Sequence, residues 1–309
     1  MTDITAGQYQ ITRGDGSNAF AYGSGANSIQ VASTATDTGA INVQDQPVTG
    51  HDGMLFGIDT LPGMVITQTG YAMTTPATGS SAMSAYSALA GCWNDPVVRL
   101  AYGSVQILRA YYKGAAGIRR CYGRGRKIMP AYGQVFQGLV PFTAQFQCAD
   151  NTWYSDAAYS VTLTNYPAAG TGLALPATPP LTAPAQPYTT AGVISNTGSL
   201  PTWPVFTIAG PVTNPVVTYT GTPVSVGWTG TVTAGQSLVI DTRPWARTAM
   251  IGATSVAGGL SGSAMISMQA QPGATVVQFT ATSPSGRGTT PGTCTIQWRN
   301  ATLAIGGVT

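Results

Sequence analysis

The chain has 309 residues, a formal net charge of +3 and only 7% charged residues, whereas soluble domains average roughly 25%. So small a net charge gives none of the long-range attraction of a dedicated DNA-binding protein, which argues against that function. With 43% hydrophobic and 9% aromatic residues the chain can bury a core, which excludes an intrinsically disordered protein, and its length predicts two domains.

The first half of the sequence is predicted to be mainly β, with one helix. Alternating polar and apolar residues predict strands at 8–12, 64–68, 103–112 and 142–148. The helix is predicted within residues 80–93 because four apolar side chains recur there at helical spacing: Ala82, Tyr86, Leu89 and Trp93. A Ser or Thr can cap its start, and Gly91 followed by Asp95 and Pro96 can end it.

A change in composition separates the two halves of the chain. Residues 1–156 carry nine Asp and nine Lys or Arg, whereas five charged residues follow, namely Asp241, Arg243, Arg247, Arg287 and Arg299. Six prolines lie between residues 165 and 192, which is typical of a semi-rigid connector. We therefore expect a first domain at 1–165, a Pro-rich connector at 166–190 and a second domain at 191–309.

The second half is predicted to be all-β. Its apolar runs are short, alternating or β-branched, and bounded by Gly, Pro or Asn; they contain Trp203, Val205, Phe206 and Ile208, then Val216, Val217 and Tyr219, then Leu238 and Ile240. Turn signals recur at the spacing of a β-sandwich or jelly roll.

An ordered series of motifs in this half points to one family. The series is NTG at 196–198, PTWPV at 201–205, GP at 210–211, NP at 214–215, AGQSLVIDTR at 234–243, PG at 272–273 and CTIQW at 294–298. In this order it resembles the C-terminal domain of the distal tail proteins (the siphovirus tail component family) of long-tailed bacteriophages. The first half resembles the family more loosely, through Asp52 and Gly53 with Gly57, residues 119–124 and residues 146–154.

The resemblance implies an all-β fold with one short helix. An N-terminal β-sandwich-like belt domain would precede a C-terminal galectin-like jelly-roll β-sandwich. The implied function is structural: a hexameric ring in the virion tail that joins the tail tube protein to the tail hub or baseplate, with the tape measure protein as a further candidate partner. The implied protein is not an enzyme, needs no cofactor or metal, and is assembled in the host cytoplasm without a membrane segment.

The sharpest charge feature lies between residues 99 and 127. Eight of the 13 cations occur there, namely Arg99, Arg109, Lys113, Arg119, Arg120, Arg124, Arg126 and Lys127. Because Arg is the cation suited to interfaces, we favour contact with a neighbouring subunit or tail partner. A solvated hairpin is the next interpretation, and nucleic-acid binding the least favoured.

Catalytic and metal sites find little support in the sequence. His51, Asp52 and Asp59 could be imagined as a cluster, but Asp52 before Gly53 is primarily a turn signal. The four Cys have no CxxC spacing, which favours buried free thiols. The N-terminus shows no signal peptide, and no run of 18 apolar residues is present.

Carbohydrate binding is the rival function, because a galectin-like domain is the family's second domain. Four tryptophans could stack on sugar rings, namely Trp203, Trp228, Trp245 and Trp298. Fold alone does not establish that function, and the second domain offers one carboxylate, Asp241, to hold hydroxyls. Core packing is the preferred role of these tryptophans.

Overall fold

The chain forms two compact units. The computed structural model describes residues 3–25, 28–74, 81–165, 190–282 and 292–304. The first unit contains the described residues up to Asp156 together with 302–304, and the second contains those from Ala157 to Ala301. The division falls after Asp156 rather than after residue 165, because Tyr159–Thr164 pairs with a strand of the second unit. The expected connector lies outside the described residues, apart from Thr190.

The prediction of an all-β protein is confirmed, and both α-helices of the described residues lie in the first unit, whereas the second unit has only short 3-10 turns at Ala257–Gly259 and Met265–Ser267. The strands of the first unit are β1 Gln8–Arg13, β2 Phe20–Gly23, β3 Ile29–Asp37, β4 Gln46–Pro47, β5 Met54–Leu55, β6 Val65–Met73, β7 Gln106–Tyr111, β8 Arg119–Pro130, β9 Leu139–Cys148 and β10 Trp153–Ser155. Its helices are α1 Ala82–Trp93, α2 Pro96–Leu100 and a 3-10 turn at Tyr132–Gln137.

One antiparallel sheet organises the first unit. The strand order is β2-β1-β7-β8-β9-β6-β3, and β10 pairs with β8. Inward side chains alternate along β9, where every second residue from Val140 to Cys148 is buried. The core includes Trp93 and Phe146, whose rings meet edge to face with centroids 6.0 Å apart. The indole of Trp93 donates to the Gln145 carbonyl at 3.1 Å, so α1 is fixed to the sheet by a hydrogen bond as well as by packing.

Helix α1 buries the four residues that its periodicity predicted, and its start is capped by Ser81, whose hydroxyl accepts from the Ser84 amide. Gly91 lies inside the helix, so the prediction that it helps to end α1 is wrong. Asp95 has a further role: its carboxylate accepts from the Val97 amide at 3.0 Å and caps α2. The sequence predicted one helix where two follow each other, because Pro96 is tolerated at the first position of a new helix.

The second unit contains two sheets. Its strands are β11 Tyr159–Thr164, β12 Ala191–Asn196, β13 Val205–Ala209, β14 Val212–Tyr219, β15 Ser225–Trp228, β16 Thr231–Val232, β17 Ser237–Asp241, β18 Thr248–Ile251, β19 Thr254–Ser255, β20 Leu260–Gly262, β21 Gly273–Thr282 and β22 Thr293–Trp298, and β23 Ala301–Thr302 spans the boundary. One sheet has the order β11-β22-β13-β17-β18-β19; the other has the order β12-β21-β14-β15-β20, with β16 paired to β14. Their apolar side chains form one core, as predicted for a sandwich.

The aromatic and thiol side chains of the second unit are mostly structural. Trp228 and Trp298 are buried, and their indoles donate to the carbonyls of Val256 and Ser195 at 3.1 and 3.0 Å. Core packing is thus the role of these two tryptophans, whereas Trp203 and Trp245 are half-buried. Cys121, Cys148 and Cys294 are buried free thiols, and Cys92 is half-buried. No helix among the described residues is long and apolar enough to cross a membrane.

Asp150 is a half-buried residue whose carboxylate charge costs the first unit stability. Its Oδ2 accepts from the Tyr154 hydroxyl at 2.5 Å, but its buried Oδ1 has no hydrogen-bond partner. Burial raises its pKa from 3.8 to about 6, against the opposing effect of the Tyr154 hydrogen bond. A carboxyl with a raised folded-state pKa destabilises the fold at pH values above it, and the cost disappears below the unfolded value.

We expect Asp150→Asn to stabilise the first unit at pH 7.5. Asn keeps an oxygen for the Tyr154 hydroxyl and removes the buried charge, so the gain is up to about 3 kcal/mol, the free-energy equivalent of the pKa difference. The gain should shrink as the pH falls through 6 towards 4. Thermal unfolding followed by calorimetry at several pH values measures it, with the exposed Asp59→Asn as a control. A loss of stability at pH 7.5 would contradict this interpretation of Asp150.

Candidate interaction surface

A two-stranded arm leaves the sheet of the first unit between β3 and β6. We define the arm as residues 38–63. Within it β4 pairs antiparallel with β5, and nearer the sheet Asn42 and Thr60 exchange backbone hydrogen bonds at 2.9 and 3.2 Å. The turn contains Gly53, whose φ of 133° favours glycine, and the Gly53 carbonyl accepts from the Val48 amide at 3.1 Å. Asp52 therefore lies at a turn, as its Asp-Gly pair indicated.

The arm exposes an unusual number of large apolar side chains. Phe56 is 86% and Ile58 83% exposed, and five others are more than half exposed, namely Ile41, Val43, Met54, Leu55 and Leu61. An isolated two-stranded ribbon is at best marginally stable in water, and a contiguous exposed apolar surface is typical of a protein-protein contact. The arm therefore has the composition of a segment that is covered in an assembly.

The arm is also acidic. It contains Asp45, Asp52 and Asp59 and neither Lys nor Arg. The Oδ1 atom of Asp45 accepts from the Gly57 amide at 3.0 Å and links the two sides of the arm. Asp52 and Asp59 are exposed, as is His51. Since none of the described residues forms a group of three metal-ligating side chains, the arm offers surface charge rather than a metal site.

The basic segment at 99–127 separates into a buried and an exposed set. Arg109, Arg119 and Arg120 are buried. The prediction that they face a partner is wrong, because their guanidinium groups lie inside the first unit. Arg124 is half-buried, and four side chains are exposed and keep the predicted role as a proposal, namely Arg99, Lys113, Arg126 and Lys127.

Two of the three buried arginines, Arg109 and Arg120, converge on Asp156, which sequence reasoning missed. Arg109 and Arg120 are directly opposite on β7 and β8, so they would repel each other without a shared anion. Arg109 donates to both Asp156 oxygens, through Nε at 2.9 Å and Nη2 at 2.6 Å, and to Gln10 at 2.5 Å. Arg120 donates through Nε at 2.9 Å and through Nη2 to the same carboxylate. This cluster holds the end of the first unit to its sheet.

The exposed Arg99 and Arg126 and the half-buried Arg124 flank a pocket of about 90 Å³. We call it the basic pocket and define it by Arg99, Arg124 and Arg126, which surround Trp93 and Gly125. Arg124 is fixed there: its Nε and Nη2 donate to the carbonyls of Ser104 and Ala101, both at 2.7 Å. The pocket lies between the last turn of α2 and strand β8, so the first unit presents an acidic apolar arm and a separate cationic concavity.

The second unit provides little for a sugar site. Its single carboxylate, Asp241, is paired with Arg243, which donates to it through Nε at 2.9 Å and Nη2 at 2.5 Å. The Arg243 guanidinium carbon lies 5.6 Å from the ring centre of the half-buried Trp245. Both oxygens of Asp241 are therefore already bound by protein donors, which disfavours the rival carbohydrate-binding function.

Comparison with known proteins identifies the fold. A scan against protein-family models and a search of curated proteins gave no match to this sequence. Among solved structures, the Dit protein (gp 19.1) of phage SPP1, described as a paradigm of the hub adsorption apparatus in phages that infect Gram-positive bacteria, aligns with a TM-score of 0.51 and 12% identity, covering 95% of this chain and 98% of that chain. A chain of the phage P2 baseplate, in its activated conformation with Ca, aligns with a TM-score of 0.53 and 13% identity, covering 94% and 97%. Over nearly its whole length, this chain therefore has the fold of phage SPP1 Dit and of a phage P2 baseplate chain, the fold that its resemblance to the distal tail proteins implied.

Proposed function

We propose that this chain is a structural subunit of a phage tail tip, a distal tail protein that forms a hexameric ring between the tail tube and the tail hub. Two independent lines support the assignment, namely the ordered motifs of the second half and the full-length likeness to SPP1 Dit and a P2 baseplate chain. The protein acts through surfaces rather than catalysis and resides in the virion tail after assembly in the host cytoplasm.

The arm is the single observation that carries self-association. Seven large apolar side chains on one ribbon lose contact with water only if another molecule covers them. Fully burying two residues of the size of Phe56 and Ile58 contributes about 3–6 kcal/mol, enough to decide whether subunits associate. An arm that meets a different surface on its neighbour can make a head-to-tail contact, the type that closes into rings.

The proposed partners are the tail proteins that lie on either side of such a ring and the protein that occupies its channel. The ring would stack on the tail tube protein on one side and on the hub or baseplate protein on the other, with the tape measure protein passing through or ending at its channel. The exposed cations of the first unit and the largely uncharged second unit are the surfaces available for these contacts.

Reconstitution tests the proposed function. The tail tube and hub proteins of the phage that encodes this chain would be purified, mixed with the chain and studied by co-sedimentation and electron microscopy. We expect closed rings that cap tube ends and bind the hub protein. A chain that binds neither protein under conditions where tubes form would contradict the proposal, whatever its own oligomeric state.

A further inference from the structure

The basic pocket has uncompensated positive charge. Asp95 also lines it, but its oxygens are already bound: Oδ2 accepts from Arg13 Nε at 2.6 Å and Asn18 at 2.7 Å, and Oδ1 from Arg13 Nη2 at 3.1 Å. Within the described ranges the ion pairs involve other cations, and none includes Arg99, Arg124 or Arg126. The pocket therefore suits a carboxylate from another molecule.

The floor of the pocket is rigid. The Gly125 amide donates to Gln106 Oε1 at 2.8 Å, and the same Gln106 side chain donates to the Cys92 carbonyl at 2.7 Å. A Cβ atom at Gly125 would lie 2.2 Å from the Trp93 carbonyl oxygen, so only glycine fits this close approach. The floor and Arg124 above it are held in place before a ligand arrives, which reduces the entropy lost on binding.

Exposed apolar side chains lie beside the pocket on α2 and in the turn after it. Val97 and Leu100 are 56% and 77% exposed, and Tyr102 is fully exposed. Apolar and aromatic anchors around a charged group are typical of a protein interface rather than of a site for a free anion. The surface thus suits a protein segment that is both acidic and apolar.

We propose that the arm of a second copy of this chain docks on the basic pocket, with Asp52 and Asp59 facing Arg99 and Arg126. The inference rests on the proposed self-association and identifies the surface that receives the arm. The arm is acidic and exposes large apolar residues, and the pocket is basic with an apolar border, so charge and hydrophobicity match on both sides. The two surfaces belong to different parts of the first unit, so repeated contacts of this kind can link successive copies into a ring.

Charge reversal on the full chain tests the proposal. One variant carries Arg99→Asp with Arg126→Asp, and the other carries Asp52→Arg with Asp59→Arg. Each alone places like charges in contact and should weaken self-association, measured by sedimentation velocity, at least about tenfold. An equimolar mixture of the two variants should restore assembly, because each then presents an arm that complements the other's pocket. Arg247→Asp, which reverses an exposed cation of the second unit, should assemble like the unmodified chain.

The outcomes separate this inference from the proposed function. If neither reversal weakens assembly while loss of the apolar arm residues does, the arm docks elsewhere and this inference is overturned, whereas arm-mediated assembly stands. A second outcome also overturns this inference. Both reversals weaken assembly and each variant keeps its thermal transition, but their mixture does not restore assembly; the arm then does not pair with the basic pocket. If the unmodified chain remains monomeric, both the inference and the self-association on which it rests fail.

Discussion

Replacing Asp156 by alanine is expected to lower the free energy of unfolding of the first unit by about 3–5 kcal/mol, the usual consequence of leaving buried charges without their partner. Arg109 and Arg120 are 2% and 5% exposed and share this carboxylate. Without it, two guanidinium groups that lie opposite each other on neighbouring strands would remain inside the unit. Calorimetric unfolding of the variant and the unmodified chain measures the difference.

The stability that the Asp156 carboxylate contributes should depend on pH. Burial alone would raise the pKa of Asp156, but the hydrogen bond from Arg109 and the charge of Arg120 outweigh it, and the pKa is lowered from 3.8. A carboxyl with a lowered folded-state pKa stabilises the fold above its unfolded value, and this contribution is lost as the pH falls through the lower folded value. The difference in the free energy of unfolding between Asp156→Ala and the unmodified chain should thus persist at pH 5–8 and become smaller below pH 3.8.

A matched control distinguishes the loss of the contacts between Asp156 and its two arginines from the general effect of removing a carboxylate. Asp59→Ala also removes one carboxylate from the first unit, but Asp59 is exposed on the arm, and surface substitutions of this kind change stability by roughly 0.5 kcal/mol or less. Equal effects of the two substitutions would show that the arginines do not depend on Asp156.

The double variant Phe56→Ser with Ile58→Ser is expected to abolish self-association without affecting folding. Both side chains are exposed, at 86% and 83%, so the isolated chain loses no core contact. Burial of two such side chains in a contact contributes about 3–6 kcal/mol, so their loss should raise the dissociation constant at least about a hundredfold. Light scattering across a concentration series measures this constant.

An apolar substitution outside the arm provides the control. Val276 is exposed on β21 of the second unit, and Val276→Ser should leave assembly unchanged. The thermal transition of the first unit should be the same in all three proteins. If the arm variant assembles as tightly as the unmodified chain, the exposed apolar residues of the arm do not drive association.

The periodicity of apolar residues was enough to predict a helix or strand from the sequence where one face of that element is buried along its whole length. Helix α1 and strand β9 were predicted for this reason, because their buried residues repeat at the helical and strand periods. Strand β3 was not predicted, since its burial fades from Ile29 to an exposed Asp37 and leaves no alternation to detect. The second unit was predicted as β from its short apolar runs. The pairing of β11 with β22 could not be predicted in this way, because it joins residues from Tyr159↔Trp298 to Thr164↔Thr293 that are far apart in the sequence.

The candidate surface could be predicted only in part. The cation-rich segment was visible, but the burial of Arg109 and Arg120 depends on a partner 47 and 36 positions away. The arm was missed because its exposed residues look buried in the sequence. Met54, Leu55 and Phe56 form an apolar run that is typical of a core strand. Only the absence of cations among its aspartates could have marked it as a solvent-exposed segment.

The central claim is that this chain assembles head to tail into a closed ring through its arm. Native mass spectrometry of the purified full chain tests it most directly, since the mass of a closed ring is discrete whereas that of an open filament is not. We predict one dominant species of six copies of the 31.6 kDa chain, which the Phe56→Ser, Ile58→Ser variant fails to form. A single copy at every concentration, or a continuous series of masses without a dominant ring, would contradict the account.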